Sequence, residues 1–165
     1  MILLRHTTPQ GGAGLCYGRT DLPVAESFDH EARSVLQRVP EASAIVSSPL
    51  RRCAALAQRI GAHQGLTVTY DDDWREMDFG TWEGTPWDAV PRAGLDAWAA
   101  DMQHYRGHGG ESVAQLTDRV DRARARVLAG AVVVTHAGCI RAILALSGHP
   151  DPWSARIDFG SLVVV

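Results

Sequence analysis

The sequence predicts an α/β protein, a three-layer α/β/α sandwich around a mostly parallel central sheet. Three observations carry that expectation. Short runs rich in Val and Leu alternate with segments whose apolar residues recur at helical spacing, which is the order of β-α units. The runs are apolar throughout instead of alternating with polar residues, as strands buried on both faces require. Two of them end on a histidine, Met1-Ile-Leu-Leu-Arg5-His6 and Ala131-Val-Val-Val-Thr135-His136. Ligands of open parallel sheets sit beyond the carboxyl ends of the strands. The two histidines are therefore expected to face one crevice, with Arg5 beside it suiting an anion.

The elements follow in order. The first strand leads into a Gly-rich loop over 11–23. Ala32, Val35, Leu36 and Val39 then mark one face of a helix that Pro40 ends. A second strand is expected over 44–46. Pro49 sits near the first turn of the next helix, where its missing N–H costs nothing, and this helix is expected to run to Gly61. A third short strand covers 67–70. Residues 71–110 are rich in Trp and Gly and hold one helix over 95–105; so long an excursion is expected to form an active-site wall or lid. Val113, Leu116, Val120, Ala123 and Val127 share a face of another helix. A strand over 132–134, a helix holding Ile140, Ile143 and Leu144, and a strand over 162–165 complete the chain. Its 165 residues suit a single domain with a real core.

Composition removes several classes of function. The apolar fraction of 45% and charged fraction of 21% are ordinary for a soluble globular chain. A net charge of −3 with no basic stripe argues against nucleic acid as a partner. No apolar run approaches the roughly 20 residues that span a bilayer, so no membrane association is expected. Met1 leads straight into a strand, which leaves no room for a signal peptide. Cys16, Cys53 and Cys139 are odd in number and widely spaced, which fits a reducing cytoplasm and neither a disulfide framework nor a zinc site. They are read as small, half-buried residues.

Familiar motifs fail on inspection. Gly12-Ala-Gly14 opens like a dinucleotide fingerprint, but Tyr17 holds the place of the third glycine. There is no Walker A loop and no G-x-S-x-G elbow. Cys53 and Arg59 have C-x5-R spacing, yet the residues between them are a helix interior and not a phosphate-cradling loop. His104 and His108 lie four apart, but Gly107 and Gly109 break that helix and no third ligand is evident, so a solvated helix end is expected.

Four blocks combine where single motifs do not. Arg5-His6-Thr7 follows the first strand, and Ser48-Pro-Leu50-Arg51-Arg52 the second. Glu76 precedes Gly80 by four, and Thr135-His136-Ala137-Gly138 follows the late strand. In type and order these blocks resemble the histidine phosphatase superfamily, with its phosphoglycerate mutase-like fold. Its R-H-G, S-x-L-x-R, E-x-x-x-G and H-A-G stretches match these positions, and its G-E-S matches Gly110-Glu111-Ser112. Thr7 replaces the usual glycine. His6-Thr-Thr-Pro9, the stretch 14–23, and Asp78-Phe-Gly-Thr-Trp-Glu-Gly84 before Trp87 are similar to the alpha-ribazole phosphatase branch.

The resemblance implies a phosphomonoesterase that needs no metal or other cofactor and acts on a small-molecule phosphate ester. It implies His6 as the nucleophile, His136 as a stabiliser of the phosphoryl group, and Glu76 as the proton donor to the leaving alcohol. Arg5 and Arg52 suit the phosphate because guanidinium offers planar paired donors and keeps its charge. The Ala137 and Gly138 N–H groups, at a helix start, suit the same anion. Arg51 and Arg52 diverge by about 100° on a helix, so only one is expected in the pocket, and the spacing of the resembled motif implies Arg52. Asp78 and Glu83 are read as loop hydrogen-bonders. Tyr17, Arg19 and one tryptophan, Trp82 ahead of Trp74 and Trp87, are expected to touch the substrate. Alpha-ribazole phosphate, of cobalamin assembly, is the substrate the narrower resemblance implies. Sugar phosphates, nucleotides, phosphoglycerate mutase activity and a non-catalytic phosphate-binding domain are the alternatives, and a homodimer is left open.

Overall fold

The computed structural model describes residues 1–165 and has the expected three layers. Five strands, β1 (Ile2–Arg5), β2 (Ile45–Ser47), β3 (Val68–Tyr70), β4 (Val132–Thr135) and β5 (Leu162–Val164), form one sheet in the order β3-β2-β4-β1-β5. Three pairings follow the β-α rhythm: β1 with β4, β2 with β4 and β2 with β3 are parallel, and only β5 at the edge is antiparallel.

The inner apolar strands β1 and β4 are buried on both sides, as their composition requires. Leu3 and Val133 face α4 (Val113–Arg124) and α5 (Ala137–Leu146) through Leu116, Val120, Ile140 and Ile143. Their neighbours Leu4, Val132 and Val134 face α1 (Phe28–Leu36) and α2 (Arg51–Gln64) through Val35, Leu56 and Ile60. This period of two along each strand makes two cores, one per face. Serine starts α4 well: Ser112 Oγ accepts from the Gln115 N–H, and the Gln115 side chain returns to the Ser112 N–H. No helix is long and apolar enough to cross a membrane.

Three helix boundaries differ from expectation. α1 stops at Leu36, although the Val39 N–H still bonds back to the Val35 carbonyl. α2 continues past Gly61 to Gln64. Gly61 is not a stop signal; it lets the Leu66 carbonyl and Val68 come close to the helix, where a Cβ would collide. The stop is Gly65, at φ 69°, in the left-handed region glycine favours. α3 spans Arg92–Ala100 instead of 95–105, because it starts directly after Pro91 and because Asp101, at its end, turns to accept from the His104 N–H. The three cysteines are fully buried free thiols, more enclosed than expected.

Residues 71–110 pack over the carboxyl ends of the strands. Trp82 and Val90 join Cys16 in a third small core with Trp98 and Tyr105 against it. The segment is tied to the Gly-rich loop by backbone bonds between Cys16 and Thr85, Cys16 and Gly84, and Trp87 and Gly14.

Candidate active site

The β1–β4 pairing sets Arg5 beside Thr135, so His6 and His136 leave the sheet together. The His6 N–H donates to the Thr135 carbonyl at 3.0 Å, and the Ser48 N–H donates to the Val134 carbonyl at 3.0 Å. β4 lies between β1 and β2, so helices α2 and α5 start from adjacent strand ends. A cavity of about 330 Å³ opens there, walled by Arg5, His6, Tyr17, Arg52, Glu76 and Ala137 among others.

His6 is buried, with Nδ1 2.6 Å from the Thr7 carbonyl oxygen. A carbonyl only accepts, so Nδ1 carries the hydrogen and Nε2 keeps its lone pair. Burial, then the Arg52 and Arg5 charges, hold its pKa well below the usual imidazole range against the opposing Thr7 bond. The His136 ring lies 5.1 Å from that of His6, edge to face. It stands against His6 and not on the cavity wall, fully buried, with Nε2 2.9 Å from Ser48 Oγ and 3.4 Å from Cys53 Sγ. Burial first, then Arg52, His6 and Arg5, push its pKa well down too, so both rings are neutral near pH 7.

Arg5 and Arg52, two of the three arginines of the cavity, lack acidic partners. Arg52 is fully buried; its terminal nitrogens donate to the Thr20 carbonyl at 2.8 Å and the Gly18 carbonyl at 2.7 Å. Arg5 donates to the Ile157 carbonyl and lies 3.9 Å over the Phe159 ring. Neither forms an ion pair, and Nε of each is buried without a hydrogen-bond partner. Arg51 points to solvent, so the two side chains diverge as expected on a helix. A buried cation without a counter-charge is costly, and an anion in the cavity removes that cost.

Glu76 stands on the same wall. Its carboxylate accepts from its neighbour Met77 N–H at 2.9 Å and from the Gly138 N–H at 3.0 Å, in the first turn of α5. Gly138 is glycine for this reason, since a Cβ there would collide with the Glu76 carboxylate. The Gly138 N–H is thus spent on Glu76 and not on a ligand, a correction to the expectation that it binds phosphate. The Ala137 N–H makes no hydrogen bond within the protein.

The remaining expectations divide. Tyr17 reaches the cavity, with Arg52 5.2 Å over its ring and burial raising its pKa, so the phenol stays protonated. Arg19 does not: its side chain turns to Glu111 at 3.6 Å, away from the cavity wall. Trp82 does not either. It is buried between Trp98, Tyr105 and His108, because the turn at Gly80–Trp82 directs it into the third core; Trp87 reaches the cavity instead. Trp74 is fully buried core. Glu83 accepts from the N–H groups of Gly18, Arg19, Thr20 and Phe79, and Asp78 from that of Gly80, so both are loop hydrogen-bonders as expected. His104 is exposed, but His108 is buried, accepting from the Gly110 N–H among aromatic rings; it is not part of a solvated helix end. Cys53 and Arg59 lie within α2, and Arg59 pairs with Asp29 at the surface.

Sequence reasoning missed Arg141, Phe79 and the exposed Phe159. Arg141 lines the cavity, and its position was available: it lies four residues after Ala137 and so on the same face of α5.

The whole chain, residues 1–165, matches the family described as the histidine phosphatase superfamily (branch 1). An uncharacterised phosphatase of Bacillus subtilis, PhoE, is 29% identical over 86% of this chain and 74% of its own length. The glucosyl-3-phosphoglycerate phosphatase of Mycolicibacterium vanbaalenii is 30% identical over 98% of this chain and 80% of its own length. The solved structure of a mycobacterial glucosyl-3-phosphoglycerate phosphatase superposes with a TM-score of 0.83 at 27% identity, covering 98% of this chain and 87% of that one.

Proposed function

The chain belongs to the histidine phosphatase superfamily, branch 1, and from that premise we propose that it is a phosphomonoesterase working through a phosphohistidine at His6. The observation that carries this reading is the pair of acid-free guanidiniums, Arg5 and buried Arg52, on one wall with a histidine whose Nε2 is unpaired.

The ester's phosphate sits between the two arginines, whose charge offsets its own. His6 Nε2 attacks phosphorus in line; the N–P bond forms as the bond to the alcohol oxygen breaks. Glu76, on the wall beside the bound ester, acts as the acid that gives that oxygen its proton. The resulting carboxylate then takes a proton from water, which attacks phosphohistidine, releases inorganic phosphate and restores neutral His6. Positive charge comes from protein side chains throughout, so no step calls for a metal ion or cofactor. The Ala137 N–H adds a donor at a helix start. His136, held by Ser48 off the cavity wall, packs edge-on against His6 and positions that ring; this replaces the direct phosphoryl contact that the resemblance implied. The 71–110 segment serves as a fixed wall, since Glu83 and the backbone bonds tie it to the Gly-rich loop.

The substrate we favour is alpha-ribazole phosphate, which the stretches 6–9, 14–23 and 78–87 support, in a cytoplasmic setting that three free thiols suit. A sugar phosphate is the second reading, supported by the relative named for glucosyl-3-phosphoglycerate. Initial rates of phosphate release with a chelator present, across alpha-ribazole phosphate, sugar phosphates and nucleotides, separate the two. We expect kcat/KM for alpha-ribazole phosphate at least tenfold above the others; comparable values across the panel defeat that substrate, and no release from any ester defeats the phosphatase.

A further inference from the structure

Taking the phosphatase reading as its basis, we propose that a second, apolar chamber next to the phosphate cavity receives the alcohol part of the substrate and selects an aromatic ring over a polyhydroxyl group. Glu76, Phe79 and Arg141 belong to the walls of both spaces. Beyond them Met77, Trp98, Met102, Val113 and Trp153 enclose about 130 Å³.

Three features fit a ring. The first is position. In-line attack by His6 sends the leaving oxygen away from His6, and the carboxyl that protonates it is Glu76, so the alcohol begins at the junction of the two spaces. The second is size. An apolar cavity of about 150 Å³ in another protein stays dry and takes up benzene, so 130 Å³ suits one six-membered ring. The third is chemistry. The Glu76 oxygens already accept from the Met77 and Gly138 N–H groups, and Arg141 Nε donates to the Ala155 carbonyl. Sugar hydroxyls inside the chamber would meet thioether and aromatic faces and lose their water without replacement, so the ribose of alpha-ribazole phosphate stays at the junction and only its aromatic base enters. The wall is also fixed: Trp98 stacks on Trp87 at 6.5 Å, and Phe79 meets Trp87 edge-on at 5.7 Å.

Calorimetric titration with phosphonates, which bind without being hydrolysed, reads the chamber apart from turnover. In the wild-type protein 2-phenylethylphosphonate should bind at least tenfold more tightly than ethylphosphonate and 2,3-dihydroxypropylphosphonate, the range a hydrophobic pocket gives. Met102→Trp, which fills the chamber and whose folding is checked by its thermal midpoint, should bring the ratio close to one. Equal affinities in the wild type, or a preference that survives the filling, overturn the chamber. Tight aromatic binding with no ester turned over supports the chamber and overturns the phosphatase instead.

Discussion

Two buried arginines, Arg52 and Arg119, sit on opposite faces of the sheet and meet opposite fates. Arg119 is compensated on every side. Its guanidinium pairs with Glu111 at 2.7 Å and donates to the carbonyls of Asp73 and Arg75, with the Glu76 carbonyl at 3.4 Å. It fastens the segment carrying Glu76 to α4, and the Glu111 bond raises its pKa against burial. Arg52 has two loop carbonyls, no carboxylate and an unpaired Nε. Burial alone would class the two together. What separates the two is the unanswered charge: a buried cation without a counter-charge is costly, and a bound anion offsets that cost at Arg52.

Substitution tests that contrast from both sides. Arg52→Ala should lower kcat/KM about 10²–10³-fold, the usual effect of removing one preorganised donor from a developing anion, with a modest change in the urea midpoint. Arg119→Ala should do the reverse. It leaves Glu111 with only the longer, partly exposed contact to Arg19 and should cost about 3 kcal/mol of stability, while activity per folded molecule falls far less. Parallel losses of activity and stability in both variants would break the distinction. The smallest effect belongs to a third arginine. Arg19→Ala removes a partly exposed contact to Glu111 and nothing from the cavity, so kcat/KM should stay within about twofold. A larger loss would return Arg19 to the substrate.

Local physics explains which parts were legible in the sequence. Apolar strands ending in Arg5-His6 and Thr135-His136 announced both the sheet and the crevice, because strand direction and ligand position are linked by topology. Helix geometry allowed only one of Arg51 and Arg52 into the pocket, and the spacing of the resembled family's motif chose Arg52. The wall residues were not legible in that way. Trp82 and Trp87 sit five apart on two short turns, and which one faces the cavity depends on how those turns pack on Cys16 and Val90. Arg19 lies in a loop whose path is set by Glu83, far along the chain. Gly138 matched the motif, but its reason, room for the Glu76 carboxylate, is a contact between residues 62 apart. Side chains on strand ends and helix starts could thus be placed by pattern, while those on the excursion required the fold.

Rapid acid-free quench of the enzyme with a phosphate-labelled ester, followed by mapping of the label, addresses the chemistry at His6 itself. The account predicts an acid-labile, alkali-stable phosphoryl group on His6 that forms faster than steady-state turnover and is absent in His6→Ala, which should be inactive though folded. Turnover with no label on the protein, label on another residue, or a fully active His6→Ala enzyme would contradict it.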